Sequence, residues 1–204
     1  RKKAVEAGDK EAAEFIARRD LNDIAEQYTM ADALFTASFL NACLRHCEDV
    51  GMANIAPIVN TRGPLYVHPK GLVRRTTFHT LAMYANLLES RVAKLAVQAS
   101  PFGGGKVPMP VIDAVATVDG AGKNWALALI NRHPSETVAC TVKLGDRSLD
   151  GTFDATILAG DSPEAFNDVE RPGRVVPERR KLTFTKGAAK LPPHSLAISR
   201  VAGL

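Results

Sequence analysis

Aromatic side chains are scarce in this chain, at 6% of its 204 residues. A nucleic-acid-binding face needs clustered basic residues with stacking aromatics among them. The basic groups here, Arg1–Lys3, Arg74–Arg75 and Arg179–Lys181, are scattered, and the net charge is only +4. Nucleic acid is therefore not an expected partner. Cysteine is also sparse, and three is an odd count that forms no disulfide framework. Cys43, His46 and Cys47 fall within about one helical turn. Their surroundings are apolar and no second ligand pair follows, so zinc is not expected. Buried free cysteine is common, and a reducing, cytoplasmic compartment is the expectation. No apolar run reaches transmembrane length, and the first ten residues lack the apolar core of a signal peptide. The chain opens on Arg1 rather than methionine, so it reads as a portion of a longer polypeptide.

What is present suits a folded core: 46% hydrophobic and 24% charged residues. The length allows one large domain or two small ones. Lys2 to Tyr28 is charged and Ala-rich, with a weak stripe of Ala12, Ala13, Phe15 and Ile16, and reads as a surface helix. Thr29 and Asp32 have capping-box spacing. The run Ala31–Leu44 that follows is apolar on nearly every side and predicts a buried helix, with Arg45 and His46 at its carboxyl end and Gly51 as its stop. Ala53–Asn60 has the length and composition of one buried strand. Pro57 is awkward there, since it cannot donate to a ladder. Either pairing ends near Ile55 or the strand bulges. Thr61 to Arg75 is a loop. A second helix starts near Thr76 or Thr77, with Phe78, Leu81, Ala82, Ala85 and Leu88 on one face and His79 on a solvated side. Helix, buried strand, loop, helix is the pattern of an α/β unit.

Composition changes at Ser100–Pro110, which is rich in glycine and proline. Gly103–Gly105 is not a phosphate loop, because Lys106 is followed by Val107. Beyond it the apolar period becomes two. Ile112, Ala114, Ala116 and Val118 share a face, and Asp119-Gly120 marks a turn. Trp125 shares parity with Leu127 and Leu129, so it reads as core. Val138, Cys140, Val142 and Leu144 alternate next. Runs at Phe153–Ile157, Leu182–Phe184 and Leu196–Ile198 complete about six strands of an antiparallel sandwich. Gly160 to Glu178 is a long polar excursion over its surface. The fold class is α/β plus all-β, divided into residues 1–93 and 94–204.

Several of these segments are similar to those of a known family. Met30–Asn60, with Ala-Asp-Ala-Leu-Phe, Ser-Phe-Leu-Asn and Asn-Ile-Ala-Pro-Ile-Val-Asn, resembles the last turn of the barrel in family 51 glycoside hydrolases, the α-L-arabinofuranosidases. Arg74 to Asn86 resembles that family's final barrel helix. Ala128-Leu-Ile-Asn-Arg-His-Pro, Leu158-Ala-Gly-Asp-Ser-Pro-Glu-Ala-Phe-Asn and the closing Leu191-Pro-Pro-His-Ser-Leu resemble its carboxy-terminal β-domain. The resemblance runs over roughly residues 20 to 201. It implies the C-terminal end of a (β/α)8 TIM barrel followed by a jelly-roll-like β-sandwich. It implies a retaining hydrolase that removes terminal arabinofuranosyl units from arabinan, arabinoxylan or oligosaccharides, with no cofactor.

Retention requires two carboxylates about 5–5.5 Å apart. The resemblance puts both catalytic glutamates upstream of this chain, and neither family motif occurs here. Glu6, Glu11 and Glu14 lie in a surface-like segment, so no catalytic residue is assigned. Pro57 stands where many members carry a glutamine that faces the sugar. Asn60, Arg62 and His68 are the candidate substrate contacts, against a plain role as loop-capping or surface residues. The partners implied are the rest of the barrel, an arabinose-containing glycan and further copies of the protein, with no membrane. The alternative is a non-catalytic carbohydrate-binding or structural β-sandwich module.

Overall fold

The structure is a computed structural model, and it describes Gly8 and residues 28–103 and 109–202. The helix expected over Lys2 to Tyr28, with Glu6, Glu11 and Glu14, lies outside the described residues apart from Gly8 and Tyr28.

Two helices come first: α1, Met30–Arg45, and α2, Thr76–Leu87. The expected capping box opens α1. The Thr29 amide and hydroxyl both donate to Asp32 Oδ2 at 2.8 Å, and the Thr29 hydroxyl oxygen accepts from the Asp32 amide. Between the helices lies a hairpin of β1, Leu65–His68, and β2, Gly71–Arg74. Short strands follow: β3, Arg91–Ala93, β4, Pro101–Phe102, and β5, Met109–Pro110. The long ones are β6, Ile112–Val118, and β7, Asn124–Asn131. Then come β8, Val138–Thr141, β9, Lys143–Leu144, β10, Arg147–Ser148, and β11, Gly151–Ala159. The chain closes with β12, Glu178–Phe184, β13, Ala188–Leu191, and β14, Ser195–Ala202.

The centre is a six-stranded antiparallel sheet in the order β12-β11-β14-β7-β6-β3. Successive side chains on a strand point to opposite faces, and both faces are covered. Ala126, Ala128 and Ile130 of β7 pack with Met30, Ala33, Ala37, Met83 and Tyr84 of the helices. Leu127 and Leu129 point the other way, into a core shared with Leu191, Ala189, Val138 and Cys140 of the smaller β-layer. Burial on both faces explains why Ala126–Ile130 is unbroken by polar residues. The alanines on the helix side let α1 and α2 approach closely. Trp125 joins the inter-sheet core as expected. The excursion after β11 is ordered and covers the start of α1, where the Met30 and Ala31 amides donate to the Ala165 and Pro163 carbonyls. No helix among the described residues is long and apolar enough to cross a membrane.

Three expectations are corrected. Ala53–Asn60 is not a buried strand. It is irregular, bent at Ala56, Ile58 and Asn60, with one isolated bridge, Val59 to Leu65, and Ile55, Ile58 and Val59 are 39%, 51% and 46% exposed. A strand needs partners for its backbone groups, and beyond that single parallel bridge no strand pairs with it among the described residues. Helix α1 is not buried all round, for Phe35 and Phe39 are 73% and 56% exposed. Helix α2 buries the opposite face to the one expected: His79, Thr80, Met83 and Tyr84 are inside, whereas Ala85 is exposed. Its aliphatic and aromatic stripe set the amphipathic expectation, but the sheet and α1 decided which side is covered.

Candidate functional site

The segment between α1 and α2 folds back on itself around two residues. Asn60 adopts φ 54° and Thr61 φ 46°, the left-handed region that asparagine tolerates better than most side chains. This reverses the chain. The Asn60 amide donates to the Leu65 carbonyl at 2.7 Å, and its side-chain Oδ1 accepts from the Val67 amide at 2.7 Å. Gly63 closes the turn against the preceding strand-like stretch. A Cβ there would lie 2.5 Å from the Ile58 carbonyl carbon and oxygen, so only glycine fits.

Arg75 holds this turn from beneath. It is 3% exposed. Its Nη1 donates to the Thr61 and Gly63 carbonyls at 3.1 and 2.6 Å. Its guanidinium lies over the rings of Tyr28 and Tyr66, 5.1 and 5.2 Å from their centroids. The Tyr28 hydroxyl donates to the Arg62 carbonyl at 2.8 Å. On the hairpin, the His68 ring stacks on Tyr66 with centroids 5.5 Å apart, and His68 Nδ1 accepts from the Lys70 amide. Asn60, Arg62 and His68 thus belong to one turn-and-hairpin unit. Pro57 sits before it in the exposed irregular stretch, after a cis peptide bond. Tyr28, Gly63, Tyr66 and Arg75 were missed. Gly63 was readable as part of a turn, but nothing in Arg74-Arg75 marks the second arginine as buried.

This unit offers amide, guanidinium, imidazole and phenol groups, which suit a polyhydroxyl ligand. None of its described hydrogen bonds involves a carboxylate. No cluster of three or more His, Cys, Asp or Glu among the described residues is placed to hold a metal ion. Cys43 is half-buried and Cys47 exposed.

A second polar cluster fastens α1 to the sheet. Asp113 on β6 pairs with Arg45 at 2.8 Å and Arg132 at 3.1 Å, and accepts from Asn41 Nδ2 at 3.2 Å. The Tyr84 hydroxyl donates to Asn41 Oδ1. Burial, reinforced by Asp113, pushes the Tyr84 phenol well above its ordinary value. Burial also lowers Arg132, opposed by Asp113. These groups satisfy one another, which is what buried polar residues need. Their arrangement is that of an interlock between layers.

The sequence profile described as the α-L-arabinofuranosidase C-terminal domain matches residues 10–195. The chain belongs to that family. A protein of Aspergillus fumigatus named a probable α-L-arabinofuranosidase C is 29% identical over 186 residues, 86% of this chain and 35% of its own length. An intracellular exo-α-(1→5)-L-arabinofuranosidase of Bifidobacterium longum is 30% identical over 165 residues, 74% of this chain and 28% of its own length. Among solved structures, a family 51 α-L-arabinofuranosidase from Bifidobacterium longum superposes with TM-score 0.77 at 28% identity, covering 87% of this chain and 35% of that one. The Thermotoga maritima α-L-arabinofuranosidase, at TM-score 0.78 and 20% identity over 89% of this chain and 40% of that one, shows the same fold. This arabinofuranosidase C-terminal domain thus spans about a third of the length of the curated relatives it matches.

Proposed function

We propose that this chain is the carboxy-terminal part of a retaining α-L-arabinofuranosidase that removes terminal arabinofuranosyl residues from arabinan, arabinoxylan or oligosaccharides. The observation that carries the reading is the family match across residues 10–195. The residues ahead of β3 supply the last portion of the catalytic barrel, and the chain from β3, Arg91–Ala93, onward supplies the β-sandwich, three residues earlier than the boundary expected from sequence. Exposed Phe35 and Phe39, with Ile55, Ile58 and Val59, support it, because soluble proteins seldom leave such apolar surface uncovered. The remainder of the barrel covers these side chains. One of its carboxylates attacks the anomeric carbon while the other protonates the leaving oxygen; water then releases the sugar from the glycosyl-enzyme. Asn60, Arg62 and His68, with Pro57 ahead of them, border the sugar site, and Arg75 positions them. The enzyme works in the cytoplasm as a homo-oligomer, a compartment that fits the relatives named intracellular.

The test is release of nitrophenol from 4-nitrophenyl α-L-arabinofuranoside. The longer enzyme that contains this chain should turn over, and the 204-residue chain alone should not. Turnover by the chain alone, abolished by changing one of its own acids, would place the chemistry here instead. No turnover by the longer enzyme would sink the assignment.

A further inference from the structure

One end of the sandwich holds an open cleft of about 310 Å³, between the β6–β7 turn and the β9–β10 hairpin. Trp125, Leu144 and Leu149 line it, together with the polar groups of Arg147 and Asp150. Its volume falls at the lower end of the range for small-molecule sites. The six-stranded sheet stands between this cleft and the helices. Trp125 has the parity of Leu127 and Leu129, which face the smaller β-layer, whereas Ala126 and Ala128 face α1 and α2. The cleft is thus across the sheet from α1 and α2 and from the turn-and-hairpin unit that joins them.

Each wall is fixed by local bonds. Asp119 holds the β6–β7 turn, where its Oδ1 accepts from the Lys123 amide at 2.9 Å and its Oδ2 from Asn124 Nδ2 at 2.6 Å. Gly122, at φ 75°, adds no side chain to the mouth, and the space where a Cβ would stand is open. Trp125 follows at the start of β7. It is half-buried, with part of the ring packed into the inter-sheet core and part lining the cleft. In the facing wall, the Leu149 amide donates to the Val142 carbonyl, and the Lys186 amide donates to Asp150 Oδ2 at 3.1 Å. The other groups are unspent. Asp150 Oδ1, the Arg147 guanidinium and the Trp125 indole N–H have no described hydrogen bond, and Arg147 has no ion pair among the described residues.

We propose that this cleft is a second, non-catalytic glycan site, which holds a neutral arabinose-containing oligosaccharide against the Trp125 ring while the reaction takes place elsewhere in the enzyme. The inference rests on the reading of the chain as part of a longer arabinofuranosidase, which supplies arabinose as the sugar; the chemistry of the cleft supplies the rest. A sugar ring has an apolar face of weakly positive C–H groups, which suits the negative face of an indole. Its hydroxyls both donate and accept. Arg147 donates to their oxygens and Asp150 Oδ1 accepts from one of them, both as charge-assisted bonds. One charge of each sign selects a neutral ligand, because Asp150 repels an anion and Arg147 a cation. Asp150 is the one carboxylate that lines the cleft among the described residues, so the pair that glycoside hydrolysis needs is missing there.

The experiment is a magnetic-resonance titration of the longer enzyme, isotope-labelled at its tryptophan nitrogens. The probe is α-(1→5)-linked arabinotriose with sulfur in place of the glycosidic oxygens, so that the enzyme does not consume it. The Trp125 indole resonance, identified by its loss in Trp125→Phe, should shift and saturate. Arg147→Ala should weaken that binding about tenfold, the worth of one charge-assisted hydrogen bond. Arg147 is exposed, so its truncation spares the fold. A Trp125 resonance that stays in place overturns the inference, and so does unchanged affinity in the Arg147 variant. A shift caused by inorganic phosphate rather than by the sugar marks an anion site and overturns it too. Hydrolysis of 4-nitrophenyl α-L-arabinofuranoside by the same preparation is read separately. An active enzyme with an unmoved Trp125 sinks the glycan site and leaves the function standing. An inactive enzyme whose Trp125 responds to the triose does the reverse.

Discussion

His79 is the residue whose chemistry departs furthest from its place in the sequence. It is 8% exposed, and its buried Nε2 has no hydrogen-bond partner among the described residues. Burial lowers its pKa to about 4, helped by the neighbouring Arg74 charge. The folded state therefore holds it neutral, and the unfolded chain binds the proton more readily. Stability from this group is full above about 6.5, the ordinary histidine value, and is lost as pH falls from there towards about 4. Thermal melts between pH 7 and 4 should show that slope, and His79→Leu should flatten it. An unchanged slope in the variant would show that other groups set the acid limit. At Gly63 the constraint is steric: Gly63→Ala should push the turn off Ile58 and lower the melting temperature, where a surface glycine such as Gly120, with open space around its Cβ position, should tolerate alanine.

At the scale of elements, the helix start and the helix-to-sheet tie were unequally visible. The Thr29 and Asp32 spacing announced the capping box because that motif is local, with both partners three residues apart. Thr29→Ala should cost about 1 kcal/mol in denaturant unfolding. The tie at Asp113 joins residues 68 apart in sequence for Arg45 and 72 apart for Asn41, and no spacing rule reaches that far. Removing the acid leaves Arg132 and Arg45 facing each other without it. Asp113→Ala should therefore destabilise by about 3–5 kcal/mol, towards the lower end because Arg45 keeps 34% of its side chain in water. A cost under about 1 kcal/mol, the scale of an exposed pair, would show the cluster to be a surface feature.

For the whole molecule, the exposed faces matter most. Phe35, Phe39, Met52 and Ile58 are each more than half exposed, and a protein that kept them so would tend to associate. Sedimentation of the 204-residue chain alone should show self-association or a non-cooperative melt, eased by Phe35→Glu with Phe39→Glu. A compact monomer that melts cooperatively by calorimetry would mean the fold needs no further cover.

The β6–β7 pair and the strands after it were legible from residue order, since a period of two and a turn at Asp119-Gly120 report local backbone geometry directly. The family resemblance was legible as well, because its motifs are contiguous. Ala53–Asn60 shows where that reasoning stops. Its apolar, β-branched composition makes it fit to be a strand, but a strand is defined by a hydrogen-bonded neighbour, and no residue within the segment says whether one stands beside it. Arg75, buried between Tyr28 and Tyr66, and His79, turned inward, were decided in the same way. Each took its environment from segments distant in the chain, and burial and pairing are properties of that environment.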